Sequence, residues 1–226
     1  MSTWTDQYNK SDIMFPTEPL IRMFKGRNYP NCDLFEKNFV DSTLLDVGCG
    51  DANNFILYDQ LGFKNLNGVE ITQEICDLNK ERLDRLGIEA TFKVGTNDHI
   101  PYEEAFDFLV SWNACYYMGV ESRYFKFEEY MAEFHSKLNE NGIFIFSVPA
   151  SDHRIFRDSI EIDDKYTMIQ NDPLGIRKGV VFRKFRDETD LEDTLSNFFT
   201  NIHLGEVNDN YFGTVAHWYI GYAYRK

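Results

Sequence analysis

The segment that most limits the fold is Thr43-Leu44-Leu45-Asp46-Val47-Gly48-Cys49-Gly50-Asp51. An apolar run just long enough for one strand breaks into two glycines one residue apart. Phe55, Ile56, Leu57 and Leu61 then follow at helical spacing, so the unit reads strand, tight loop, helix. Gly48 and Gly50 permit backbone geometry and close ligand approach that a side chain would forbid. The third glycine of a dinucleotide-binding GxGxxG loop is absent, with Asn53 in its place. A dinucleotide loop turns a helix N-terminus toward pyrophosphate. A carboxylate at Asp46 instead suits orientation of the loop and contact with a cationic group such as an ammonium.

The same alternation continues downstream. Strands are expected at 66–69, 90–94, 106–111 and 143–148, the last introduced by the turn Asn141-Gly142. Helices are expected at 75–86, where Ile75, Leu78, Leu83 and Leu86 recur at helical spacing, and at 127–138. Strands alternating with helices predict an α/β, Rossmann-like, doubly wound sheet that is mostly parallel. Residues 149–187 break the rhythm with charge, Asp172-Pro173 and Gly175, and read as an insertion after the fifth strand that covers an acceptor site. A helix near 191–199 precedes two strand-like runs, 201–207 and 218–224, separated by Asn208-Asp209-Asn210. They predict a C-terminal antiparallel hairpin that brings the sheet to seven strands. Residues 1–40 read as a helical lid, with Thr17 as N-cap and Pro19 in the first turn of a helix through Leu20, Ile21 and Phe24. The 226 residues suit one domain: lid 1–40, binding core 41–148, insertion 149–187, and helix with hairpin 188–226.

Charge removes several partners. A formal charge of −14 repels phosphate backbones and anionic lipid. The one basic stretch, Arg183, Lys184 and Arg186 alternating with Phe182 and Phe185, runs straight into Asp187, Glu188 and Asp190 and is expected to be a solvated strand edge. No export signal or membrane-length apolar run is visible in the sequence. Cys32, Cys49, Cys76 and Cys115 form no CxxC pair, so neither metal nor disulfide is expected. A cytoplasmic protein with reduced thiols and a small-molecule partner is the expectation, with the oligomeric state open.

Twenty residues after Gly50, Glu70 ends the second strand in Gly68-Val69-Glu70-Ile71. An acidic side chain there can accept both hydroxyls of a ribose, a feature shared by nicotinamide cofactors and S-adenosylmethionine. From here the chain resembles the class I S-adenosylmethionine-dependent methyltransferases over roughly 44–148. Residues 44–50 are similar to that family's first motif, Glu70 to its ribose acid, and 95–101 to its adenine loop, while Phe106-Asp107 opens the fourth strand as in the family. The resemblance implies S-adenosylmethionine as cofactor and S-adenosylhomocysteine as product. It places Asp46, Gly48, Cys49, Gly50, Glu70 and Ile71 along the cofactor. Thr96, Asn97 and Asp98 fall near adenine, although the family often has an acid where Thr96 stands, and Ser111, Trp112 and Asn113 face the methionine end. The Asn-Pro-Pro-Tyr, Asp-Pro-Pro-Tyr and Pro-Cys signatures of DNA methylation are missing from the sequence.

The lead-in Trp4 to Tyr8, Phe15-Pro16, Arg22 and the ending His217-Trp218-Tyr219 resemble a group of small bacterial O-methyltransferases. Some of these act on phosphate-like or other anionic molecules of specialised metabolism or surface-polysaccharide modification. That likeness implies Trp4 and Tyr8 as a lid over the cofactor and Arg22 as partner of its carboxylate. On the acceptor side, His153, Arg154 and Arg157 follow the fifth strand, where open α/β sheets bind ligands, and arginines suit anionic oxygens. Phe15, Trp112, Tyr116 and Tyr117 offer aromatic walls. Methyl transfer needs alignment and water exclusion more than a base. If a base is used, His153 is the first candidate and His217 the second. Three other functions stay open: N-methylation of a small amine, an NAD-dependent oxidoreductase, and a non-catalytic cofactor-binding protein.

Overall fold

The computed structural model describes residues 4–8 and 14–226. The chain opens with α1 (Trp4–Tyr8) and α2 (Glu18–Lys25), then alternates β1 (Thr43–Val47), α3 (Phe55–Leu61), β2 (Asn65–Glu70), α4 (Gln73–Leu86), β3 (Ala90–Val94) and β4 (Phe106–Ser111). Next come β5 (Tyr117–Val120), β6 (Arg123–Tyr124), α5 (Phe127–Ser136) and β7 (Leu138–Pro149). The rest comprises β8 (Ile160–Glu161), β9 (Tyr166–Met168), β10 (Val180–Arg183), α6 (Glu188–Leu195), β11 (Phe199–Tyr211) and β12 (Thr214–Arg225). Seven strands form the main sheet in the order β11-β12-β7-β4-β1-β2-β3. Within it β12 alone runs against the others, wedged between β7 and β11.

Alternating side chains divide the core between the two faces of this sheet, as period-two strand geometry requires. Leu45, Leu109, Phe144 and Phe146 pack on one side with Phe127, Met131 and Phe134 of α5 and Leu191 and Leu195 of α6. Leu44, Phe108, Val110, Ile143 and Ile145 face the other side with Leu20 and Phe24 of α2 and Phe55 and Tyr58 of α3. Local signals match these elements. The Thr72 hydroxyl accepts from the Ile75 N–H at the start of α4, and Gly87 ends that helix with φ 72°. At α2, Pro19 lies in the first turn as expected, but Thr17 caps without its side chain, and its N–H instead donates to Asn54 Oδ1 at 2.9 Å.

Three expectations are corrected. Asn141-Gly142 is not a turn ahead of the fifth strand, because β7 already begins at Leu138, within the stretch expected to be helical. The pair forms a bulge, with Phe106 opposite Leu138 and Phe108 opposite Ile143. The C-terminal turn is Phe212-Gly213, with φ of 52° and 87°, since Asn208, Asp209 and Asn210 keep pairing with His217, Ala216 and Val215. Arg183 is not on a solvated edge: it is 0% exposed, paired with Asp190 of α6 at 3.3 Å and lying 4.1 Å over the Phe185 ring. Within the insertion at 149–187, β8, β9 and β10 join β5 and β6 in a second, five-stranded sheet in the order β6-β5-β10-β9-β8.

Candidate functional site

A cavity of about 370 Å³ opens where the C-terminal ends of β1, β2 and β4 meet α1 and the small sheet. Its floor is backbone. Gly48 and Gly50 adopt left-handed φ values of 72° and 61°. A Cβ on Gly48 would lie 2.5 Å from Ala114 Cβ, and one on Gly50 would lie 3.1 Å from the Tyr8 hydroxyl, so larger residues would close the loop onto its neighbours. The Gly48 N–H bonds the Val69 carbonyl, stitching the loop to the end of β2.

Glu70 is 5% exposed and its carboxylate is held from both ends, accepting from the Gly50 N–H at 2.7 Å and the Ile71 N–H at 2.9 Å. Burial pushes its pKa up, and these two bonds oppose that shift. Beneath the loop, Asp46 Oδ2 accepts from the Tyr58 hydroxyl at 2.8 Å, while Oδ1 is buried with no partner. Burial first, with Glu70 adding to it, raises Asp46 to about 7 against the opposing Tyr58 bond. A buried, half-satisfied carboxylate below a glycine loop and a fixed carboxylate beside it form a donor-poor, acceptor-rich floor that suits hydroxyls and a cation.

The roof is made of side chains. Trp4 and Tyr8 of α1 stack with ring centroids 5.8 Å apart, and Trp4 meets the Tyr117 ring edge-on at 6.0 Å. Arg82 of α4 donates to the Tyr8 carbonyl, anchoring the other end of the short helix. Burial, reinforced by Glu70 and Asp51, raises the Tyr8 phenol and keeps it protonated. The Arg177 guanidinium lies 5.2 Å over the Trp4 ring, and its Nε donates to the Tyr117 hydroxyl at 2.8 Å.

Of the residues expected at the cofactor, the structure brings Trp4, Tyr8, Gly48, Glu70, Ile71, Thr96, Asn97, Asp98 and Asn113 together around this cavity. Asn97 donates to the Ala114 carbonyl at 3.1 Å, and Asn113 is fixed by its N–H and Oδ1 on Ser147 Oγ at 2.8 and 2.7 Å. Asp46, Cys49 and Gly50 lie just beneath the lining. Ser111 is buried with its hydroxyl on the Val47 carbonyl, and Trp112 packs into the core on the α2 and α3 side. Arg22 is elsewhere: its exposed side chain pairs with Glu18 and Tyr29 and borders a separate cavity of about 380 Å³ between α2 and the C-terminal hairpin.

The acceptor set divides more sharply. Tyr117 lines the cavity, whereas Tyr116 is buried behind it and Phe15 is 74% exposed outside it. Arg154 and Arg157 border a small depression of about 90 Å³ beside the hairpin tip. Neither candidate base lines the cavity. His153 Nδ1 accepts from the Ile155 N–H at 3.0 Å, its ring packs on Trp218, and burial followed by Arg154 and Arg177 lowers it to about 4. His217 sits between Asp152 at 2.6 Å and Glu206 at 3.5 Å. The sequence reading missed Val120, Phe125, Tyr130 and Val180, which complete the wall, because isolated apolar residues carry no motif. It also missed Arg177. Among the described residues no helix is long and apolar enough to cross a membrane, and no His, Cys, Asp and Glu cluster could hold a metal.

Comparison with known proteins shows the family and the fold. Residues 38–199 match the family model described as "Methyltransferase domain". No curated protein matches the chain. Among solved structures, the chain is similar to a SAM-dependent methyltransferase from Methanosarcina mazei, with TM-score 0.64, 16% identity, and 87% of this chain and 97% of that one covered. It is also similar to an S-adenosylmethionine-dependent methyltransferase from Clostridium acetobutylicum, with TM-score 0.58, 14% identity and 92% and 98% coverage. A third is the magnesium protoporphyrin IX methyltransferase of Synechocystis, solved with bound SAH, with TM-score 0.57, 14% identity and 85% and 78% coverage.

Proposed function

Because this chain belongs to the methyltransferase-domain family and is a class I S-adenosylmethionine-dependent methyltransferase, we propose that its 370 Å³ cavity holds that cofactor beside a small, uncharged acceptor methylated on oxygen. The observation that carries the acceptor reading is the charge of the wall. Glu70 and Asp98 line the cavity, and no Lys, Arg or His does among the described residues. An anionic acceptor would meet no side-chain cation in this lining to balance its charge. The phosphate-like acceptor of specialised metabolism or surface-polysaccharide modification depends on Arg154 and Arg157, which border another depression.

S-adenosylmethionine, when bound, supplies a methyl carbon on a positively charged sulfur. Glu70 is placed to accept ribose hydroxyls while the Gly50 and Ile71 N–H groups keep its carboxylate oriented. Thr96, Asn97 and Asp98 form the edge for a base, and the unpartnered Asp46 Oδ1 supplies negative potential under the loop. Trp4 and Tyr8 exclude water above the floor, which strengthens every electrostatic contact inside. With His153 and His217 outside the lining, the chain works by alignment rather than by a dedicated imidazole base, and the proton that the acceptor hydroxyl loses on methylation passes to water. Of the expected lid at 1–40, α1 then serves as lid, and 149–187 serves as acceptor cover within one domain.

Calorimetric titration with S-adenosylmethionine, S-adenosylhomocysteine and NAD tests the cofactor, and a product assay over neutral hydroxylated, amine, carboxylate and phosphorylated acceptors tests the second half. Binding of both sulfur nucleosides without NAD, and turnover confined to neutral hydroxylated acceptors, is expected. Turnover of phosphorylated acceptors instead refutes the uncharged-acceptor reading.

A further inference from the structure

The hydroxyl oxygen of Tyr117 accepts a hydrogen bond from Arg177 Nε at 2.8 Å. A guanidinium only donates, so this bond occupies an acceptor lone pair and leaves the phenol its own proton to donate elsewhere. Tyr117 lines the cavity, where that proton can meet a ligand. Arg177 is itself fixed. Asp172, whose side chain is fully buried, accepts from the guanidinium at 3.2 Å and from the Ile176 and Arg177 N–H groups at 2.8 and 2.7 Å. The other face of the guanidinium lies over Trp4.

Resting on the methyltransferase reading above, we propose that Tyr117 orients the acceptor by donating its phenolic proton to a neutral oxygen of a ring-shaped, uncharged molecule, and that Arg177 is the positioning residue for that proton. The ligand class follows from the surroundings. Trp4, Tyr8, Phe125 and Tyr130 offer ring faces and edges, Val120 and Val180 fill between them, and Asp172 already neutralises the Arg177 charge. A hydroxyl or carbonyl oxygen gains a polarised donor here. A carboxylate gains no unpaired cation here, since the Arg177 charge is already balanced by Asp172.

The test uses 2-naphthol, naphthalene and 2-naphthoate as probes on the full chain saturated with S-adenosylhomocysteine, with affinity read by saturation-transfer NMR. 2-Naphthol is expected to bind more tightly than 2-naphthoate. Tyr117→Phe should weaken 2-naphthol roughly five- to tenfold, the loss of one hydrogen bond, and leave naphthalene unchanged. Arg177→Met should weaken 2-naphthol similarly, and the double variant should be no weaker than Tyr117→Phe alone, the coupling that a merely structural arginine would not produce. Arg177→Lys, which keeps one donor, should recover part of the loss. Equal 2-naphthol affinity in wild type and Tyr117→Phe, tighter binding of 2-naphthoate, or no naphthol binding at all each overturn the proposal. Failure of wild type to bind S-adenosylhomocysteine overturns the underlying cofactor reading instead, so the two failures are distinguishable.

Discussion

The two walls of the cavity are made differently. The floor, from Asp46 to Gly50 and at Glu70, is contributed by adjacent strand ends of one parallel sheet, and apart from the Asp46 carboxylate, which Tyr58 holds, its working atoms are backbone or are bonded directly to backbone. The roof, Trp4, Tyr117 and Arg177, comes from a five-residue helix and a small antiparallel sheet whose strands lie far apart in the chain, and ring packing with side-chain bonds holds it. A floor of this kind keeps its geometry through the fold itself. A roof of this kind can be rebuilt one side chain at a time, so under the proposed function the floor is the part that binds the cofactor and the roof the part that selects the acceptor.

Four substitutions would break or sharpen that contrast. The largest effect is expected at Asp46. Its folded pKa, about 7, lies above the ordinary 3.8, so the stability associated with the protonated acid is present below about pH 4 and lost as pH rises through about 7. Asp46→Asn should flatten that limb by on the order of 4 kcal/mol, three pH units at about 1.4 kcal/mol each, as read by urea unfolding between pH 4 and 8. An unchanged pH profile would contradict the burial argument. Phe182→Ala removes the ring that contacts Tyr116, Tyr117 and Phe156 in the small sheet. It should cost about 3 kcal/mol and leave S-adenosylhomocysteine affinity within about threefold. A collapse of cofactor affinity in that variant, with the fold intact by circular dichroism, would show that roof and floor are not separable. Glu70→Ala should weaken S-adenosylhomocysteine about 100-fold by calorimetry, through lost charge-assisted bonds to hydroxyls. Arg22→Ala should leave that affinity within about twofold, since its exposed partners are Glu18 and Tyr29. A larger loss would bring α2 into the site.

The same division explains what could be read from the amino-acid order. Gly48, Gly50 and Glu70 are legible because a glycine loop after a strand and an acid at the next strand end each have a local mechanical reason, and the alternation of strands and helices follows from periodicity. Tyr117 and Arg177 are sixty positions apart and meet only because β5 pairs with β10. No local pattern announces that pairing, since β8, β9 and β10 have two, three and four residues. Arg183 misleads for a related reason: alternation of Arg and Phe looks solvated until Asp190, seven residues on, arrives from α6 to pair with it. Arg154 and Arg157 follow β7 closely in sequence, yet the short 3-10 turn at Arg154–Phe156 takes them away from the cavity.

The placement of β12 between β7 and β11 sets an order of assembly. In the main sheet β11 is bonded only to β12, a strand later in the chain, so when β11 emerges during synthesis the neighbour it needs does not yet exist. The contacts from β7 to β12 then span the whole of 149–187, α6 and β11, a long separation whose loop entropy is lost before any pairing compensates for it. The glycine-loop floor can therefore form early on β1, β2 and β4, while the edge of the sheet beyond β7 is completed last and as a single step.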